Sequence, residues 1–275
     1  MTVRPLFVIK LGGALLDDSP ALSSLLDGVA AMHRAGPGCV LLVHGGGSAV
    51  DRHLARLGLE TRKRDGIRLT PPEQMIEIAG VLRGSVNATL IAHLHARGVN
   101  AVGLSLADGA TTEAQVTTQF DFDPGCVGEI TSGDPRLIQT LLSAEFLPVV
   151  SSIAAARDGT LLNVNADDAA AALARILNAS GLVFLTDVSG VHGSDGQSIQ
   201  TLTTPEVEEL ISKRIITGGM IPKVRGALAT AESIGVPVII TTWRDATVLP
   251  RLAAGESVGT SLLPTCATVE SSLTR

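Results

Sequence analysis

Aromatic residues are nearly absent from this 275-residue chain: they make up 2% of it, as five Phe, one Trp and no Tyr. A protein that binds single-stranded nucleic acid needs aromatic faces on which bases stack, set along a basic groove. The basic component is missing too, because 27 Asp and Glu outnumber 21 Lys and Arg and leave a formal net charge of −6. Nucleic acid and anionic membranes are therefore excluded as expected partners, since either demands a positive face. Cysteine is scarce. Cys39, Cys126 and Cys266 are odd in number and far apart, which fits inert, reduced thiols of a cytoplasmic protein and neither a disulfide framework nor a thiolate metal site. Apolar runs stay short: Lys10 interrupts the N-terminal MTVRPLFVIKLGG, which has neither the length nor the cleavage site of a signal peptide. No stretch approaches the roughly 18 uninterrupted apolar residues of a membrane span.

Hydrophobic residues (45%) and glycine (29 residues) are abundant instead, the composition of an α/β protein whose buried parallel strands read as continuous aliphatic runs. Strand-like and helix-like segments alternate throughout, which predicts a mainly parallel sheet with helices on both faces. Strands are expected at Leu6 to Leu11, Val40 to Val43, Val99 to Leu104, Leu147 to Ser152, Leu182 to Thr186 and Val236 to Thr241. A helix opens at Pro20 after a Ser19 cap and stops at Gly36-Pro37. Thr70-Pro-Pro-Glu73 has capping-box spacing and opens a long helix ending near Gly98. Glu113 to Ile130 reads as an antiparallel hairpin or lid, and Asn165 or Asp167 caps an alanine-rich helix. A soft boundary near residue 178 divides an N-terminal lobe (1–178) from a smaller C-terminal lobe (179–275).

Four glycine clusters follow strands or precede helices: Lys10-Leu-Gly-Gly13, His44-Gly-Gly-Gly47, Asp187-Val-Ser-Gly190 and Gly218-Gly219. At the carboxyl ends of strands such clusters let backbone N–H groups approach an anion. No Walker A loop occurs, and Val50 stands where the dinucleotide fingerprint wants a small residue. Lys10 ends an apolar strand and Lys223 lies in a glycine-led helix start, so the pair is suited to neutralising a phosphoryl group in transfer. Asn163 and Asp167 lie outside what one helix cap requires, and Asp167 is suited to orienting the lysines. Arg68 offers a bidentate fork for a carboxylate. His44 is expected to be structural support. No Ser-His-Asp set, HExxH or paired-cysteine site is present, and the lack of a general base suits a carboxylate acceptor, which is already ionised at neutral pH.

Together, Val8-Ile-Lys-Leu-Gly-Gly13, Val43-His-Gly-Gly-Gly47, Gly66-Ile-Arg-Leu-Thr70, Val149-Val-Ser-Ser-Ile153, Leu162-Asn-Val-Asn-Ala-Asp167, Leu185-Thr-Asp-Val-Ser-Gly-Val191, Ile215-Ile-Thr-Gly-Gly-Met-Ile221 and Gly259-Thr260 resemble the amino acid kinase superfamily and, within it, the N-acetylglutamate kinases. The resemblance implies a three-layer αβα sandwich whose open, mainly parallel sheet has about eight strands. It implies ATP-dependent phosphorylation of the side-chain carboxylate of N-acetyl-L-glutamate, with Mg2+ arriving on the nucleotide. Lys10 and Lys223 would stabilise the transition state and Asp167 would organise them. Gly46, Gly47, Arg68 and Asn163 would bind the acyl-amino acid, with Arg68 on its α-carboxylate. Gly12, Gly13, Asp187, Val188, Ser189, Gly190, Val191, His192, Ile215, Ile216 and Thr217 would bind the nucleotide. The start of the chain close to its first strand matches the shorter, homodimeric members without arginine feedback. Ser105-Leu-Ala-Asp-Gly109 is less glycine-rich than the family pattern, and Pro222 precedes Lys223. A sister kinase acting on N-acetyl-aminoadipate or a carrier-linked amino acid, and a non-catalytic sensor of the same fold, are the alternatives.

Overall fold

The computed structural model describes residues 5–36, 38–64, 67–194 and 196–265; Pro37, Asp65, Gly66 and Cys266 lie outside the described residues. The strands are β1 (Phe7–Leu11), β2 (Val40–His44), β3 (Lys63–Arg64), β4 (Ile67–Arg68), β5 (Ala101–Ser105), β6 (Glu113–Val116), β7 (Val127–Ser132), β8 (Leu147–Ser151), β9 (Ile153–Ala155), β10 (Leu161–Val164), β11 (Gly181–Thr186), β12 (Thr201–Leu202), β13 (Val238–Thr242) and β14 (Thr260–Leu262). The helices are α1 (Gly13–Asp17), α2 (Ser19–Ala35), α3 (Gly47–Arg56), α4 (Pro72–Ala79), α5 (Asn87–His95), α6 (Arg136–Ser143), α7 (Ala166–Ile176), α8 (Thr204–Ser212), α9 (Met220–Ile234) and α10 (Val248–Ala253).

Eight strands form one sheet in the order β12-β14-β13-β11-β1-β2-β8-β5. The six from β13 to β5 run parallel, and β14 turns antiparallel against β13. Period-two alternation divides their side chains between two cores. Val8, Leu41 and Val43 face one layer with α3, α7 and α9, while Phe7, Ile9, Leu11, Val40 and Leu42 face the other with α2, α5 and α10. Each fully buried aliphatic side chain contributes roughly 1.5–3 kcal/mol, so apolar strands with only their ends polar are stable in the middle layer. This is the αβα sandwich that the alternating sequence predicts.

Chain connectivity then locates a crevice. From β1 the chain crosses to β2 on one side, whereas from β11, on the other side of β1, it continues away from β1 to β12 and β13. The loops at the carboxyl ends of β1 and β11 therefore leave in opposite directions and part from each other, the arrangement in which open α/β sheets bind ligands. A smaller sheet, β6-β7-β10-β9, stands beside it. Its β6–β7 pair is antiparallel, as the Glu113 to Ile130 segment predicts; β9, β10, β12 and β14, of two to four residues each, are too short to carry a periodic signal.

Local signals differ in three places. The α2 cap is Asp18, whose carboxylate accepts from Ala21 N at 3.0 Å, and Pro20 still falls in the first turn. Thr70 does not cap α4: its backbone pairs with the Pro124–Cys126 segment (Thr70 N to Pro124 O 2.9 Å, Cys126 N to Thr70 O 2.6 Å) and its hydroxyl donates to Arg68 O. A true capping box joins Thr203 and Glu206 at α8. The long helix from Pro72 continues through a π-helical turn at Gly80–Val86 into α5. Among the described residues this Pro72–His95 helix is the one long and apolar enough to cross a membrane, and its Met75, Ile78, Leu82, Leu90 and Leu94 pack into the two cores.

His44 ends β2 with no exposure. Its Nδ1 donates to Gly45 O at 2.8 Å, and Asn87 Nδ2, which also donates to Val149 O at 3.0 Å, meets Nε2 at 2.9 Å. The ring is thus a neutral brace, and burial lowers its pKa from 6.5 to about 4. A histidine buried neutral contributes its stability in full above pH 6.5 and loses it as pH falls toward about 4, because the unfolded chain binds the proton first. Urea unfolding is expected to show a loss of about 2 kcal/mol between pH 7 and pH 5 that is absent in His44→Asn; an identical pH dependence in the two proteins would remove this role from His44.

Candidate active site

Lys10 is the penultimate residue of β1, and its side chain, 20% exposed, brings Nζ to 3.0 Å from Asp167 Oδ1. A buried ammonium without a partner would lose its proton or destabilise the strand. Asp167 reaches it because α7 begins just ahead: Asn165 caps that helix by accepting from Asp167 N at 2.8 Å, which leaves the Asp167 side chain free to turn to β1. Asp168, next in line, has its pKa raised by burial and by the Asp167 charge.

The glycine loops after β1 and β2 meet the start of α7 and the β3–β4 hairpin at this point. A Cβ built on Gly12 would stand 3.5 Å from Lys10 Nζ, one on Gly45 3.2 Å from Ala166 Cβ, and one on Gly47 3.6 Å from Arg68 Nη2. Gly46 sits at φ 155°, and a Cβ there would meet Leu82 at 2.9 Å, so this turn admits only glycine. The result is a cavity of about 310 Å3 lined by Lys10, Gly13, Gly46, Gly47, Arg68, Asn163 and Asp167 among others. Arg68 enters from β4 with 10% of its side chain exposed and bonds Asp51 Oδ1 at 2.5 Å, Thr61 Oγ1 at 3.3 Å and Gly47 O at 2.9 Å. Asn163 enters from β10 and donates to Thr70 Oγ1 at 3.1 Å.

The remaining predicted residues lie outside this cavity, on the open carboxyl edge beside it. Asp187 follows β11, the strand paired to β1 through Lys10↔Phe184, and it accepts from Lys223 Nζ at 2.7 Å. The Lys223 hydrogen bond comes first among the causes that hold the Asp187 carboxyl below its usual range. Lys223 belongs to the first turns of α9, so this one ion pair ties the loop after β11 to the helix start that follows Ile215, Ile216 and Thr217. Two carboxylates divide the work expected of Asp167 alone: Asp167 holds Lys10 and Asp187 holds Lys223. Within the 187–192 loop, Thr186 Oγ1 accepts from Val188 N at 3.2 Å, Thr260 Oγ1 accepts from Val191 N at 2.8 Å, and Ser189 Oγ meets His192 Nε2 at 3.1 Å. Gly190, at φ 139°, abuts Thr260 so closely that a Cβ would lie 2.8 Å from its Oγ1. Ile216 is buried and Thr217 O accepts from Met220 N at 3.2 Å.

Several lining residues escape a reading by motif. Lys63, Phe120, Glu129 and Asp168 all border the cavity. Glu129 accepts from Gln115, Thr117 and Gln119 at 2.8, 2.9 and 2.9 Å, with Gln115 foremost in lowering its pKa. The Asp65-Gly66 dipeptide between Arg64 and Ile67 was the available signal for Lys63, because that pair of residues favours a tight hairpin turn. Among the described residues no group of three or more His, Cys, Asp or Glu converges to hold a metal ion; Asp167 and Asp187, already joined to lysines, suit a metal carried in on phosphate oxygens better than a cage of protein ligands.

The pattern of the Amino acid kinase family matches residues 5–242. The chain is 46% identical over 256 residues to the acetylglutamate kinase of Pectobacterium atrosepticum, covering 93% of this chain and 98% of that one. It is likewise 46% identical over 257 residues to the acetylglutamate kinase of Vibrio campbellii, covering 94% and 96%. Among solved structures, smu.665 of Streptococcus mutans aligns with a TM-score of 0.69 at 28% identity, covering 94% of this chain and 98% of that one. By sequence along nearly its whole length, and by the sheet and glycine loops described above, the chain belongs to the amino acid kinase family, with acetylglutamate kinases as its relatives.

Proposed function

We propose that this chain transfers the terminal phosphoryl group of ATP to the side-chain carboxylate of N-acetyl-L-glutamate, yielding N-acetyl-L-glutamyl 5-phosphate and ADP. The observation that carries the reading is the pair of carboxylate-held ammonium groups: Lys10 on β1, held by Asp167 within the cavity, and Lys223 on α9, held by Asp187 just after β11, the strand next to β1. Its support from relatives is their shared description as acetylglutamate kinases.

The chemistry asks little proton transfer of the protein. A carboxylate with an ordinary pKa near 4.3 is ionised at pH 7, so its oxygen attacks the γ-phosphorus in line while the bond to the β-phosphate oxygen breaks and ADP departs. The obstacle is repulsion between anions, and positioned positive charge removes it. Lys10 and Lys223 neutralise the phosphoryl oxygens, Asp167 orients Lys10, and the bare backbone of Gly12 and Gly13 admits the phosphates. Residues 1–178 hold the acyl-amino acid through Gly46, Gly47, Arg68 and Asn163; residues 179–275 hold the nucleotide through Asp187 to His192 and Ile215 to Thr217. Mg2+, bound through the phosphates, supplies additional charge neutralisation. The protein acts in the cytoplasm as a homodimer, for which light scattering should return about twice the 28.3 kDa chain mass.

Coupled ADP release with N-acetyl-L-glutamate, together with hydroxylamine trapping of the acyl phosphate, tests the activity; N-acetyl-aminoadipate assayed alongside tests the acceptor. Lys10→Ala and Lys223→Ala are expected to lower kcat by about 10²–10³ with little change in KM, because these charges act on the transition state. Arg68→Ala is expected to act on the acceptor's KM, raising it at least about tenfold while the ATP KM stays put. Turnover preserved in either lysine variant would strip that lysine of its part in stabilising the transition state.

A further inference from the structure

Beside Lys10 and Arg68 the cavity holds a third cation that the motif residues do not include. Lys63 and Arg68 are cross-strand partners in the β3–β4 hairpin, and both line the cavity. Two like charges directly opposed on a two-stranded ribbon are destabilising. Asp51 removes the conflict from behind. It stands on α3, is not among the lining residues, and divides its carboxylate between the two cations, with Oδ1 accepting from Arg68 Nη1 at 2.5 Å and Oδ2 from Lys63 Nζ at 3.0 Å. Burial pushes the Asp51 carboxyl up, but the hydrogen bonds and charges of Arg68 and Lys63 together outweigh it and hold the carboxyl below its usual value.

Counting donors shows what is left for a ligand. A guanidinium has five N–H groups. Arg68 uses both on Nη1, for Asp51 and Thr61, and one on Nη2, for Gly47 O. Among the described residues the Nε–H and one Nη2–H find no acceptor, and the Lys63 ammonium, bonded to Asp51, retains two of its three. With Asp51 included, the wall carries one net positive charge beside four unused donors. That is the complement of one carboxylate, whose two oxygens present about four acceptor sites. The reacting carboxylate of an acidic acyl-amino acid belongs at Lys10, so the wall is left for the α-carboxylate.

We infer that Lys63 is a second anchor for the substrate's α-carboxylate beside Arg68, and that Asp51 is a positioning residue that aims both cations into the cavity. This rests on the acyl-amino-acid reading above. A purely structural Asp51–Lys63 pair, with Lys63 half exposed, would add little to the hairpin and would be indifferent to the ligand's charge.

The experiment compares N-acetyl-L-glutamate with N-acetyl-4-aminobutyrate, which keeps the side-chain carboxylate and lacks the α-carboxylate. Titration calorimetry on the full chain measures both ligands against wild type, Lys63→Met and Asp51→Asn, substitutions that keep side-chain length and volume; thermal melting confirms folding of each. The discrimination ratio, affinity for the first ligand over affinity for the second, is expected to fall about tenfold in each variant, the scale of one charge-assisted contact. A ratio that stays within about twofold of wild type in Lys63→Met, or a wild-type protein that does not discriminate at all, overturns the inference. Because calorimetry reads binding, the two readings fail separately. Discrimination without ADP release would refute the kinase assignment and leave the anchor standing. ADP release with an unchanged ratio would do the reverse.

Discussion

An ammonium group at the end of a buried strand cannot be left alone, and the architecture around Lys10 follows from that constraint. Its counter-ion has to come from another segment, because the neighbours of Lys10 in β1 are apolar and committed to the two cores. Asp167 supplies it at 3.0 Å, and only because Asn165 takes over capping of α7. That division of labour places the start of α7 against the glycine loop after β2, where Gly45 meets Ala166 without a side chain to hold them apart. The loops after β1 and β2 and the start of α7 are therefore gathered by one ion pair, and the cavity is the space they enclose.

The same device recurs one strand over, where Asp187 holds Lys223, but in a different setting. The Lys223 side chain is 44% exposed against 20% for that of Lys10. The enclosed side suits a small acid that must be fully desolvated. The open side, assembled from the 187–192 loop and the start of α9, suits a larger ligand whose bulk remains outside the reacting region. Burial thus differs between the two halves in the sense that the proposed substrates require.

The layered fold was legible in the sequence because its strands are long, aliphatic and separated by helices of matching length; β1, β2, β8, β11 and β13 fall where the apolar runs do. The ends of elements were less so. Ser19 and Asp18 are both good caps, and Asp18 wins through its bond to Ala21 N. Thr70 has capping-box spacing, but pairing with the segment before Cys126 uses its backbone, a contact fifty-odd residues away that no local pattern encodes. In the site, glycine clusters and lysines at strand ends carry a local signature, whereas Asp51, Lys63 and Glu129 do not. They matter through partners on other elements, and an exposed acid or lysine in sequence looks like any solvated one. That Lys10 and Lys223 would have separate carboxylates was likewise not visible, since it depends on β11 lying next to β1.

The ion pairs lining the cavity also set terms for anyone designing a compound to occupy it. An uncharged molecule would have to strip water from Lys10, Lys63 and Arg68 while giving nothing in return to their ammonium and guanidinium groups. A dianion meets those groups directly, yet a dianion crosses lipid poorly. Tight occupancy and passive cellular entry therefore pull a chemist in opposite directions, and a masked acid, such as an ester released after uptake, is the form of compound this cavity favours.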